Sequence, residues 1–211
     1  MIKQFLVFIT FFSISNLYAQ DIFVHTGKNM TNYECSVDVQ LNQSVLASPL
    51  DYRSGGGNFY EIGYSTNKSD AKIAYLVSIT YNQFNAAASS SLSSYSWNTG
   101  YIGLQNMVAY TFFKSQGGVK LSLNAGLNTA QIVRGEQFTN ATFYDITNNE
   151  EFRGLVLQPI FGLDARYKVS DKLALSLGYN FSNSYNLTNS SNEKLSIKTK
   201  QMKFGVHLPI K

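Results

Sequence analysis

The chemical repertoire of this chain is narrow. Its two histidines, His25 and His207, lie near opposite ends of the sequence, and Cys35 is its single cysteine. Serine is plentiful, yet no serine, histidine and acidic residue stand out as a nucleophile–base–acid relay. Neither histidine sits at metal-ligand spacing from carboxylates, and there is no P-loop or GxGxxG segment to cradle a phosphate. A lone cysteine gives no intrachain disulfide framework. The sequence therefore offers no catalytic residue, no cofactor-binding residue and no metal ligand. It reads as non-enzymatic and cofactor-free, with both histidines neutral or interfacial. What remains is charge. Glu61, Lys120, Arg134, Asp164, Arg166 and Lys203 fall inside segments that otherwise alternate apolar with small or polar residues.

That alternation defines the elements that must position these charges. Successive side chains of a strand point to opposite faces. Leu173-Ala174-Leu175-Ser176-Leu177-Gly178-Tyr179-Asn180-Phe181-Ser182 shows the pattern most clearly. The spacing predicts strands over about 21–31, 58–66, 72–86, 98–114, 118–136, 151–168, 172–187 and 194–208. Short turn-like links at 66–71, 114–118 and 169–172 alternate with longer polar links at 32–57, 87–97, 137–150 and 188–193. In an up-and-down barrel this alternation gathers short turns at one rim and long loops at the other. Because long links follow odd-numbered strands, both ends of the barrel sequence fall on the short-turn side.

The two faces decide what kind of sheet this is. In the fourth segment Ile102, Leu104, Val108, Tyr110 and Phe112 oppose Tyr101, Gly103, Gln105, Met107, Ala109 and Thr111. In the fifth, Val119, Leu121, Leu123, Ala125 and Leu127 oppose Lys120, Ser122, Asn124, Gly126 and Asn128. In the sixth, Leu155, Leu157, Phe161, Leu163 and Tyr167 oppose Gln158, Gly162, Asp164 and Arg166. In the last, Met202, Phe204, Val206 and Leu208 oppose Gln201, Lys203, Gly205 and His207. A soluble barrel or sandwich would carry many charges on its second face. Glycine, serine, asparagine and glutamine suit instead the narrow lumen of about eight strands, with the apolar face turned to lipid. Aromatics near segment ends, such as Phe112, Phe113, Tyr167, Tyr179 and Phe181, fit an interfacial girdle.

The start of the chain agrees with export. Met1-Ile2-Lys3-Gln4 is basic, Phe5–Phe12 is apolar, and Leu17-Tyr18-Ala19 ends the run on a small residue. This is the layout of a signal peptide, residues 1–19, cleaved after Ala19. The run is shorter than the roughly 20 residues that span a bilayer. Residues 20–211 then form one domain. Tyr (14), Phe (15) and only 3 Pro favour strands. The mean hydropathy of −0.13 looks soluble, but lumen faces and loops dilute the apolar half of a barrel strand. A net charge of +4 without a basic stripe argues against nucleic-acid binding.

Asp21-Ile22-Phe23-Val24-His25-Thr26-Gly27-Lys28-Asn29, Gly57-Asn58-Phe59-Tyr60-Glu61-Ile62-Gly63-Tyr64 and the hairpins from Tyr101 to Asn186 carry a resemblance. The chain resembles the small outer-membrane β-barrel proteins of Bacteroidetes type, the porin-family proteins akin in build to OmpX/OmpA-type barrels. The resemblance implies a single antiparallel, up-and-down transmembrane barrel in the outer membrane of a Gram-negative cell. One departure is the C-terminus: Phe204 is the last aromatic before Gly205-Val206-His207-Leu208-Pro209-Ile210-Lys211, whereas such strands often finish on an aromatic. Small outer-membrane barrels include lipid-modifying enzymes that use His with Ser or Asp, a role to which only His25 and His207 answer here. The expected role is non-enzymatic, structural or surface-interacting, carried by the loops near 32–57, 87–97 and 137–150. A narrow channel is the alternative and a lipid-modifying enzyme the third reading. Expected partners are outer-membrane lipid, and a protein that meets the loops or recruits the barrel as an accessory subunit. The charges Glu61, Lys120, Arg134, Asp164, Arg166 and Lys203 are expected in the lumen, either as an ion-pair network that fills it or as the lining of a conducting path.

Overall fold

The computed structural model describes residues 21–37, 51–66, 71–89, 94–139, 142–149, 152–187 and 193–210. The expected signal peptide lies outside these residues, as do parts of the long links. The strands are β1 (Asp21–Val37), β2 (Asp51–Ser65), β3 (Ile73–Ser89), β4 (Ser94–Lys114), β5 (Val119–Thr139), β6 (Thr142–Asp145), β7 (Leu155–Ser170), β8 (Leu173–Asn186) and β9 (Glu193–Pro209). Neighbours in sequence pair antiparallel, β5 passes over the short β6 to pair with β7, and β9 returns to β1. The result is a closed, all-antiparallel barrel of eight strands, with β6 a short extension paired only to the end of β5. Closure leaves no open barrel edge, which satisfies the backbone without water.

The side-chain distribution is inverted relative to a soluble barrel. Ile79, Leu123, Phe161, Leu163 and Met202 are each more than half exposed on the outside, while Asn29, Asn128, Thr80 and Lys203 are buried inside. Every strand of the closed barrel has at least 14 residues. A tilted membrane strand needs about 9–11.

The barrel departs from strict alternation at identifiable places. The run Ser54-Gly55-Gly56-Gly57, expected in a loop, lies inside β2. There β2 takes an extra residue between Ser54 and Phe59 relative to β3. A Cβ on Gly55 would come within 2.0 Å of the Asn85 carbonyl oxygen, and one on Gly57 within 2.1 Å of that of Gln83. Bare backbone is what lets the bulged strand close on its neighbour. A second bulge lies where Gly100 pairs with Arg134 but Tyr101 pairs with Ile132, so Val133 is the extra residue. The expected link at 137–150 is likewise part strand: β5 runs to Thr139 and turns back as β6.

The polar lumen as candidate functional site

The inward side chains are sorted by height. At the short-turn rim Arg166 pairs with Asp21 at 2.8 Å. Above it stands an ionic layer. Glu61, 4% exposed, accepts at Oε1 from the Ser78 hydroxyl (2.5 Å) and the Gln105 amide (2.7 Å), and its Oε2 lies 2.6 Å from His25 Nδ1. Buried Lys203 lies within the fields of both Glu61 and Asp164. Phe23 covers this layer, its ring 4.8 Å from His25 and 5.5 Å from His207. Next comes a carboxamide layer. Gln201 donates to Asn29 (2.9 Å), Asn180 to Gln201 (3.0 Å), Asn128 to Gln158 (3.1 Å) and Gln158 to Ser182 (2.7 Å). At the long-link end an apolar plug packs inside the barrel. It is built from Tyr33, Phe84, Tyr101, Ile132 and Ile197 of the wall, with Ile146 and Phe152 folded in from the connection between β6 and β7. Tyr33 Oη donates to the Phe84 carbonyl (3.0 Å) and meets Thr99 Oγ1 at 2.8 Å, so the Tyr33 phenol is satisfied within the plug.

Within the ionic layer lies a constellation with the geometry of a hydrolase relay. Ser176 Oγ is 3.2 Å from His25 Nε2, and His25 Nδ1 faces Glu61. Ionised Glu61 can only accept, so the network selects the tautomer with the proton on His25 Nδ1. Nε2 is then the ring nitrogen turned toward Ser176, the placement seen where a histidine serves a serine nucleophile. His207 Nε2 approaches the same hydroxyl at 3.0 Å and His25 Nε2 at 3.3 Å. Ser176, His25 and Glu61 are all buried. The void beside His207 measures about 40 Å³. It is lined by Asn124 and Asp164 as well, and Asn124 Oδ1, Asp164 Oδ1 and His207 Nδ1 make no hydrogen bond to protein. A space of that size and polarity suits a bridging water, not an acyl chain. Among the described residues no cluster of His, Cys, Asp or Glu has metal-binding geometry.

Structural comparison aligns the chain with outer-membrane barrels. OprG of Pseudomonas aeruginosa matches with a TM-score of 0.49 at 10% identity, over 91% of this chain and 96% of that one. Ail, the attachment invasion locus protein of Yersinia pestis, gives 0.47 at 11% identity, over 90% and 99%. Neisserial surface protein A gives 0.47 at 16%, over 90% and 97%. No protein-family model and no curated protein sequence matches the chain. The closed barrel is established by the chain's own strand pairings.

The structure distributes the expected lumen charges unevenly. Glu61, Asp164 and Lys203 converge in the ionic layer. Lys120 and Arg166 sit at the short-turn mouth, where both line the small void. Arg134 is on the outside: it is exposed and forks onto Glu136 at 3.0–3.2 Å. The extra residue Val133 is the reason, because one inserted residue exchanges the faces of everything beyond it. The sequence reading missed the histidine pair, Ser176, Ser78 and Gln105. The inward parity of His207, Gln201 and Lys203 was visible, but their partners lie as many as 182 residues away.

Proposed function

We propose that this chain is a non-enzymatic integral outer-membrane protein. Its sealed barrel serves as a rigid mount for the loops at its long-link end. The observation that carries the reading is the combination of an apolar exterior with a polar interior stoppered by the Tyr33–Phe152 plug. An apolar outer wall of this height is costly in water and favourable in lipid. Among the described residues no helix is long and apolar enough to cross a membrane, and closed strands are the other solution lipid allows. Export by the segment 1–19, cleavage after Ala19 and short turns on the periplasmic side complete the reading. The packed tiers favour a structural or surface-interacting role over the narrow channel. The Ser176–His25–Glu61 relay is read as lumen packing, supported by the burial of all three side chains and by the small void, about 40 Å³, beside His207. Recognition then falls to the long-link end of the barrel, where the links expected near 32–57, 87–97 and 137–150 join the ends of β1 and β2, β3 and β4, and β5 and β7, displayed by a stiff scaffold, toward a partner protein or as an accessory subunit.

The test is single-channel recording of the full-length mature protein in a planar bilayer, with hydrolysis of lipid esters measured on the same preparation. A folded, inserted protein that conducts no discrete steps and releases no fatty acid fits the proposal. Reproducible openings would establish the channel reading instead. Lipid hydrolysis abolished by Ser176→Ala would establish the enzyme reading.

A further inference from the structure

A second site lies on the outer wall, and it rests on the membrane-embedded reading above. A groove of about 510 Å³ is lined by Met30, Pro159, Phe161, Phe181, Tyr185, Lys198 and Lys200, among others. Its origin is in the sequence. Proline has no N–H to give a ladder. The β7–β8 pairing runs from Leu157↔Tyr185 directly to Ile160↔Ser182, leaving Gln158 and Pro159 without ladder partners on β8. The wall is dented there, and the floor reaches Thr199, which is 3% exposed and whose Oγ1 has no hydrogen-bond partner.

Register sets a chemical gradient across the dent. Phe161 pairs with Phe181, Phe181 with Lys200, and Lys200 with Met30. These form one outward row across β7, β8, β9 and β1. Lys198 stands one outward position above, toward the long-link rim, paired with Asn32 and Asn183. Lys28 stands one position below Met30 and donates to Asn58 (2.6 Å). None of the lining residues is acidic. Lys200 thus lies in the aromatic row itself and Lys198 above it, so two ammonium groups border the apolar floor of Phe161, Phe181 and Met30. Lysine stems of this kind lie along apolar surface and present the ammonium at headgroup level. Basic pockets at that depth attract anionic headgroups.

We infer that this groove binds a phosphorylated, multiply acylated lipid of the outer leaflet. Its phosphates would meet Lys198 and Lys200, and its acyl chains would lie on Phe161, Phe181 and Met30. The site differs from the lumen in position, chemistry and access, since lipid reaches it laterally without entering the barrel.

The experiment is native mass spectrometry of the folded protein released from zwitterionic detergent. It is titrated with a bisphosphorylated hexa-acyl glucosamine disaccharide, with the same lipid lacking phosphate, and with inorganic pyrophosphate. The wild type is expected to bind the phosphorylated lipid at least tenfold more tightly than the dephosphorylated one. Lys198→Gln/Lys200→Gln should shrink that discrimination to within about twofold, while Phe161→Ala/Phe181→Ala should weaken both lipids. Discrimination unchanged in the lysine variant would overturn the inference. So would pyrophosphate competing as tightly as the lipid, which marks a simple anion site. Insertion into phosphatidylcholine vesicles, read as altered mobility of the unboiled protein, is scored separately. Failure to insert refutes the membrane reading itself, whereas insertion with indifferent lipid binding refutes only this site.

Discussion

Glu61→Gln is the sharpest probe of the lumen. The substitution keeps the shape and removes the charge. Glu61 receives the Ser78 hydroxyl, the Gln105 amide and the His25 imidazole, and Lys203 stands in its field. A neutral amide turns one oxygen into an NH₂ group facing donors, and Lys203 loses a countercharge while 2% exposed. Hydrogen bonds to a charged group contribute about 1.5–3 kcal/mol each and are not additive. Removing one partner of a buried pair costs about 3–5 kcal/mol. Asp164 remains beside Lys203, so the lower part of that range, about 3 kcal/mol, is expected. The assay is urea unfolding of the vesicle-inserted protein, followed by the fluorescence of Trp97, the chain's single tryptophan. Glu61→Gln/Lys203→Met should recover most of the loss, because the stranded charge is gone. A cost below about 1 kcal/mol, or a double variant no better than the single one, would refute the buried-pair reasoning.

Further outcomes follow from the same geometry. Leu123→Arg places a charge on the lipid-facing wall and should cost about 2–4 kcal/mol in the same unfolding assay. Ser176→Arg, which a wet lumen would tolerate, should be no cheaper, since it enters a layer whose adjoining void is about 40 Å³; a milder effect than Leu123→Arg would show a water-filled lumen. Gly205→Ala sets a Cβ within 1.7 Å of His25 Cδ2 and 2.7 Å of Ser176 Oγ. It should cost about 1–3 kcal/mol through overpacking and move the His25 ring resonances in an NMR spectrum of the micelle-bound protein. Phe152→Ala removes one ring of the plug and should cost about 3 kcal/mol, yet leave the protein non-conducting in the planar-bilayer recording.

Much of the fold was legible because alternation is a local property. The inward sets on β4, β5 and β9, and the short and long links, follow from parity and turn residues alone. What escaped depends on distant parts of the chain. Arg134 carried the parity of a lumen residue until one bulge, at Val133, turned it outward. The glycine run at 55–57 reads as a loop by composition, yet its lack of side chains is what allows β2 to pass close to β3. Ile146 and Phe152 lie in what reads as a polar link and end up as the stopper of the barrel. The inward aromatics Phe23, Phe59 and Phe84 are buried in a lumen expected to hold small polar residues. His25, Glu61, Ser176 and His207 come from four different strands. Only barrel closure brings them together, and no spacing within one segment encodes that.

Whether the apolar face meets lipid while the polar face is packed inside is read by fluorescence quenching with lipids brominated along their acyl chains. Two proteins are compared: Leu123→Trp in a Trp97→Phe background, and the wild type with Trp97, which packs against the apolar plug. Strong quenching is expected at position 123, deepest with bromines near the bilayer centre, with little quenching of Trp97. Equal weak quenching of both, in a protein that stays monomeric without detergent, would contradict that arrangement.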